Sequence, residues 1–267
     1  STNCPEMENM MRHFKNILVV ADADNGETRS LLYTALDLAE RNSGVLTIFS
    51  VVEDVPDRRR YFVRNGRRQD LVATMIRTRM AELKELMPAT TVPVHYEVVA
   101  GTAYLEIIER VNTKAHDLVL TVPMPPLRRI GLGASSTTMH LLRKCPVPVW
   151  VHSPLSQTND AIVVALGPLE PTSHDLNLKL LELGSSLAKA KGSELHVVHG
   201  WRLEGETMMK SPRLGYSADE IEAMGSAVRT EAQREIDLLI GAVELADDAK
   251  VWLKKGHAAD VVTDAIE

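Results

Sequence analysis

Aromatic residues are scarce, with 3 Trp, 5 Tyr and 3 Phe among 267 residues, so any core must be aliphatic. Cysteine is scarcer still. Cys4 lies in a polar N-terminal stretch and Cys145 beside an apolar run, which excludes a disulfide framework and fits a reducing compartment. No apolar run approaches the roughly 18 residues that a membrane-spanning helix needs. The opening STNCPEMENMM has no apolar centre of the signal-peptide kind, so the expected location is the cytoplasm. Neither a Gly-x-Ser-x-Gly elbow nor a Walker A loop occurs, and no spacing pairs a nucleophile with a base. The 9 histidines show no zinc spacing with Cys or Glu, so no metal site is expected. The chain reads as a protein that is not an enzyme.

Hydrophobic residues at 45% and charged residues at 25% are ordinary for a globular chain. The formal net charge is −6, unevenly spread: residues 1–152 carry 19 basic and 17 acidic side chains, and residues 153–267 carry 11 and 19. So acidic a second half repels phosphate backbones and argues against nucleic acid as a partner.

Two short apolar runs, ILVVAD at 17–22 and IVVALG at 162–167, are alike. Both are β-branched, too short for helices and closed by turn residues, so both read as buried strands. An amphipathic helix follows each. Residues 28–42 carry Leu31, Leu32, Ala35, Leu38 and Ala39 on one face, and residues 173–191 carry Leu176, Leu180, Leu183 and Leu187 at helical spacing. Strands at 45–52 and 194–201 come next, then a long loop, then helices near 70–87 and 218–240. The second of these opens with Ser217-x-x-Glu220, a capping-box spacing, and is expected to bury Ile221, Met224, Val228, Ala232 and Leu239. Third strands run into Gly101 and Gly256, and a helix follows each glycine. The alternation argues for an α/β architecture of two tandem parallel sheets flanked by helices. The domains are set at 12–152 and 160–267, joined by HSPLSQTND at 152–160.

The first copy continues with HDLVLTV at 116–122, a short helix near 136–144 and PVPVWV at 146–151. The second copy has no such continuation before Glu267. A matching end would fall roughly 40 residues further on, so the second domain is expected to lack its final strands.

Strand KNILVVAD, the glycine before the third helix, and HDLVL followed by LLRKCPVPVWV together resemble the universal stress proteins, most nearly the tandem E-type subgroup. The resemblance implies flavodoxin-like or Rossmann-like domains of the adenine nucleotide alpha hydrolase type, each built on a five-stranded parallel sheet. Many members bind ATP; others act in the stress response through dimerisation and partners. ATP-binding members carry Gly-x2-Gly-x9-Gly-Ser/Thr after the fourth strand, where bare backbone amides and a helix N-terminus approach phosphate. Here the matching positions hold Val122, Pro125 and Ser135, and Pro123, Pro125 and Pro126 have no amide hydrogen to offer. No cofactor is therefore expected in the first domain. ATP is expected only if a complete second domain carries the loop. Asp22, where the family often places an Asp near the adenosine, and Ser135 and Ser136 before the short helix remain as a remnant pocket. An apolar rim at Val122 and Met124 is the alternative for that pocket.

Family members commonly pair through their fifth strands. The resemblance therefore implies a homodimer, or pairing of domains within the chain, through Val147, Val149 and Val151. Arg58, Arg59, Arg60, Arg64, Arg67 and Arg68 crowd one loop, a basic stretch suited to phosphate, RNA or an acidic protein partner. His196 and His199 fall on opposite faces of one strand. Met208 and Met209 form a soft apolar stretch that either covers core or rims a pocket.

Overall fold

The computed structural model describes residues 14–21, 27–53, 67–122, 137–152, 161–243, 245 and 249–266. The chain divides into two compact units, Ser1–Gln157 and Thr158–Glu267. Unit 1 contains β1 (Asn16–Val20), α1 (Thr28–Asn42), β2 (Val45–Glu53), α2 (Arg67–Leu86), β3 (Val94–Gly101), α3 (Ala103–Lys114), β4 (Leu118–Thr121), α4 (Thr137–Lys144) and β5 (Val149–Val151). Its five strands are parallel in the order β3-β2-β1-β4-β5. Unit 2 contains β6 (Ala161–Ala165), α5 (His174–Lys191), β7 (Glu194–Trp201), α6 (Glu206–Met209), α7 (Ala218–Gly241), β8 (Lys250–Lys255) and α8 (Ala258–Ile266). Its three strands are parallel in the order β6-β7-β8.

The two sheets repeat one plan. β1, β2 and β3 have the neighbour relations of β6, β7 and β8. Ala21 donates its amide to Phe49 O at 3.0 Å, and Leu166 donates to Val198 O at 2.9 Å. These bonds fix the equivalence of the two strand ends, so Gly167 stands where unit 1 has Asp22. In unit 1, β1 is the central strand, with Ile17, Leu18 and Val19 fully buried, as expected for a strand covered on both faces. α3 and α4 share a core with the Leu18, Val20 and Phe49 face, and Val147 and Val149 pack partly against it.

Local chemistry trims some elements relative to sequence expectation. β5 begins at Val149 rather than at 146, because Pro146 and Pro148 cannot donate to a ladder; Pro148 only accepts, from Val119 N–H at 3.0 Å. β4 begins at Leu118 because the Asp117 carboxylate turns back to accept from Lys15 N–H at 2.7 Å and Asn16 N–H at 3.1 Å. The loop expected at 202–217 holds α6 and a single 3-10 turn at Pro212–Leu214. The capping box at α7 forms as the spacing predicts: Ser217 N–H donates to Glu220 Oε2 at 2.8 Å, and Glu220 N–H to Ser217 Oγ at 3.2 Å.

The leucine stripe expected on α5 is rotated by one residue. Leu176 is exposed, and the buried positions are Asn177, Leu181, Gly184, Ser185 and Ala188. Small and polar residues lie inside because the helix sits close to the sheet. A Cβ at Gly184 would overlap the Cγ2 methyl of Val164, and a β-branched side chain has little freedom to retreat. Gly184→Ala should therefore cost about 1–2 kcal/mol net, although alanine favours a helix by about 1 kcal/mol over glycine. Urea unfolding measures this, and a stabilised variant would contradict the close packing.

Candidate functional site

Asp22, Pro125, Ser135 and Ser136, together with Met124 and the arginines Arg58, Arg59, Arg60 and Arg64, lie outside the described residues. Val122 is described. It is 1% exposed, and its carbonyl accepts from Thr121 Oγ1 at 3.2 Å and Thr138 Oγ1 at 3.5 Å. Its side chain is core and offers no surface to a ligand. Nearby, Ser30 Oγ and His152 Nε2 are 2.9 Å apart. Val149, Trp150 and Val151 on the outer strand of the sheet are half-buried, as is Val147 just before it.

A concavity lies in unit 2, at the C-terminal ends of β6 and β7. Open parallel sheets place ligands at that edge. The cavity is about 1090 Å³, bounded by the segment after β6, the first turn of α5, the end of β7 and one face of α7. Its floor is held by one side chain. Asn177, 1% exposed, accepts from Gly167 N–H at 3.0 Å and donates to Pro168 O at 3.1 Å. Matching the Leu187-Ala188 end of α5 to the Leu38-Ala39 end of α1 puts Asn177 on the position of Thr28, which is likewise fully buried.

His199 and Trp201 face this cavity from β7. His199 lies 3.4 Å through Nδ1 from Leu166 O. A carbonyl only accepts, so Nδ1 carries the proton. Burial pushes the imidazole below its ordinary value, against the weaker raising effect of that hydrogen bond. The ring is therefore neutral, with its Nε2 lone pair open as an acceptor. Glu170, Asp175, Glu204, Glu231 and Glu235 line the cavity as well, and Arg234 pairs with both Glu231 and Glu235 at 2.7 Å. Arg202 also lines it but is held by Glu204 Oε1 at 2.9 Å and by His257 Nδ1 at 3.1 Å.

Sequence reasoning overlooked this site because its chemistry has no local motif: Asn177 and His199 come from different elements, 22 residues apart. The expected leucine stripe put Asn177 beside the buried face rather than on it, so no local signal in the sequence pointed to it. His196 and His199 have separate partners. His196 Nε2 meets Glu194 Oε2 at 3.1 Å and its ring leans on Trp252, with centroids 5.7 Å apart. Among the described residues no cluster of His, Cys, Asp or Glu could hold a metal ion. Met208 is exposed and Met209 half-buried, both on the single turn of α6.

The fold and these strand ends have known relatives. Residues 13–152 match the model of the Universal stress protein family, and the chain belongs to that family. It is 31% identical over 196 residues to Universal stress protein E of Salmonella typhi, a match covering 70% of this chain and 62% of that protein. The protein of the same name from Photorhabdus laumondii is 28% identical over 200 residues, covering 72% and 63%. The chain thus matches less than two thirds of the length of these relatives. A universal stress protein from Archaeoglobus fulgidus has the same fold with a TM-score of 0.58 at 16% identity, covering 95% of this chain and 82% of that one. A functionally unknown protein from Pseudomonas aeruginosa gives a TM-score of 0.57 at 19% identity, covering 96% and 78%. No described helix is long and apolar enough to cross a membrane.

The lowered pKa of His199 makes stability depend on pH. The unfolded imidazole titrates near its ordinary value of about 6.5 and the folded one lower. Between those values unfolding takes up a proton, so the stability due to neutral His199 is complete above about pH 6.5 and is lost as pH falls. His199→Gln should flatten the fall in unfolding free energy between about pH 7.5 and pH 5.5. An unchanged slope would place His199 in a water-like setting.

Proposed function

We propose that the chain is a binding module of the stress response and not a catalyst. Its unit 2 cavity receives a small polar molecule, neutral or cationic, and the β5 edge of unit 1 pairs with a second copy of the chain. The observation that carries the reading is the cavity itself: a floor pinned by Asn177, a neutral histidine acceptor, and a wall of carboxylates at the C-terminal edge of a parallel sheet. Glu170 and Asp175, which pair with no described cation, give an ammonium or hydroxyl-rich ligand hydrogen-bond acceptors and cost a phosphate chain repulsion. Pairing through β5 draws support from the half-buried Val149 and Val151 on an outer strand and Val147 just before it, since an open strand edge invites a further strand.

ATP binding is the second reading, supported by family membership and by the cavity's place at the strand ends. The acidic wall argues against it. Native mass spectrometry of the purified chain, with calorimetric titration of ATP on the same sample, separates the two. The proposal expects a co-purifying non-phosphorylated molecule, released on unfolding and lost in Glu170→Gln/Asp175→Asn, with no heat from ATP. It also expects the mass of two chains. Saturable ATP heat abolished by closing the cavity with Ala227→Trp would overturn it.

A further inference from the structure

A second concavity in unit 2, about 370 Å³, lies beyond Trp201, the residue that walls both cavities. Its chemistry is opposite. Lys210, Arg229 and Lys255 line it, with Trp201 and Ile221 as apolar walls. Two of its cations hold one carboxylate between them: Lys210 Nζ is 2.8 Å from Glu206 Oε1 and Lys255 Nζ is 2.7 Å from Glu206 Oε2. Each oxygen has its own ammonium, which is how a bound oxyanion is held. The Lys255 ammonium also lies 5.6 Å above the centre of the Trp201 ring, a cation–π distance. Arg229 makes no ion pair with any described residue.

The carboxylate comes from outside the sheet. Glu206 opens the single turn of α6, reached through Gly205 at φ 75° and followed by Gly215 at φ 71°. The two lysines hold its carboxyl at about 2, well below the ordinary range, so it stays an anion at any working pH. Trp201 and Lys255 are register partners at the ends of β7 and β8. Their counterparts in unit 1 are Val52 and Ala100, also register partners. At these two positions the repeat thus carries neither the aromatic ring nor the cation.

We propose that Lys210, Arg229 and Lys255 beside Trp201 form a seat for a small phosphate monoester with a planar or apolar body, and that Glu206 occupies this seat until the ligand displaces it. Glu222 lines the same cavity. With Glu206 swung out, three cations face that one carboxylate, a balance that suits a doubly charged group. The seat is independent of the acidic cavity, and a failure of either reading leaves the other standing.

Phenyl phosphate, with a ring for Trp201 and a dianion for the lysines, is the probe. Binding is followed by the indole N–H resonances of Trp150, Trp201 and Trp252 in the intact chain at low salt. The proposal expects the Trp201 resonance to move while Trp150 stays, and Glu206→Gln to tighten binding about tenfold by removing the internal competitor. Adding Lys255→Gln to that variant should abolish the response. Equal affinity in wild type and Glu206→Gln, or a Trp201 resonance that does not move at saturating probe, would overturn it. Should Glu206→Gln not fold, wild type against Lys255→Gln decides: retained binding without the lysine refutes the seat.

Discussion

Two hydrogen bonds from one amide set the shape of the functional edge of unit 2. Asn177 accepts from Gly167 and donates to Pro168 from the buried face of α5. It thereby ties the segment after β6 to the helix that follows. The segment forms one rim of the acidic cavity, and Leu166, which follows β6, supplies the carbonyl that orients His199. A buried amide that satisfies backbone on both its oxygen and its nitrogen is costly to replace, because an apolar substitute strands Gly167 N–H away from water.

The same edge separates two electrostatic environments with a single indole. On one side of Trp201 stand carboxylates and a neutral imidazole. On the other stand three cations and the captive Glu206. Opposite charges kept apart by a few ångströms of apolar ring can each address a different ligand, or the two ends of one ligand. The acidic balance of residues 153–267 hides the basic cavity, because net charge averages over what the fold sorts.

The fold was largely legible in the chain. The two β-branched runs, the Leu-Ala helix ends and the glycines before α3 and α8 mark the same elements in both copies, and the sheet orders agree with that repeat. Hydrophobicity alone misplaced the inner face of α5, because Asn177, Gly184 and Ser185 are inside and Leu176 is outside. Close backbone approach selects small residues where a helical-wheel argument looks for large ones. Prolines shortened β5 in a way that β-propensity did not anticipate. The sites were less legible. Both unit 2 cavities are assembled from residues that lie on four or more elements, and α6, which carries Glu206, is a single turn within what reads as loop. The remnant pocket suggested by Asp22, Pro125, Ser135 and Ser136 lies outside the described residues, and Val122 alone, a core residue, does not build it.

If the Asn177 tie holds the cavity floor, Gly167 N–H is a protected amide and not a loop amide. Hydrogen exchange resolved at Gly167 tests this directly. The account predicts protection approaching that of Val197 in the core of β7, falling by at least about tenfold in Asn177→Ala while Val197 changes less. Exchange at Gly167 in the wild-type chain at the rate of an exposed loop would contradict it.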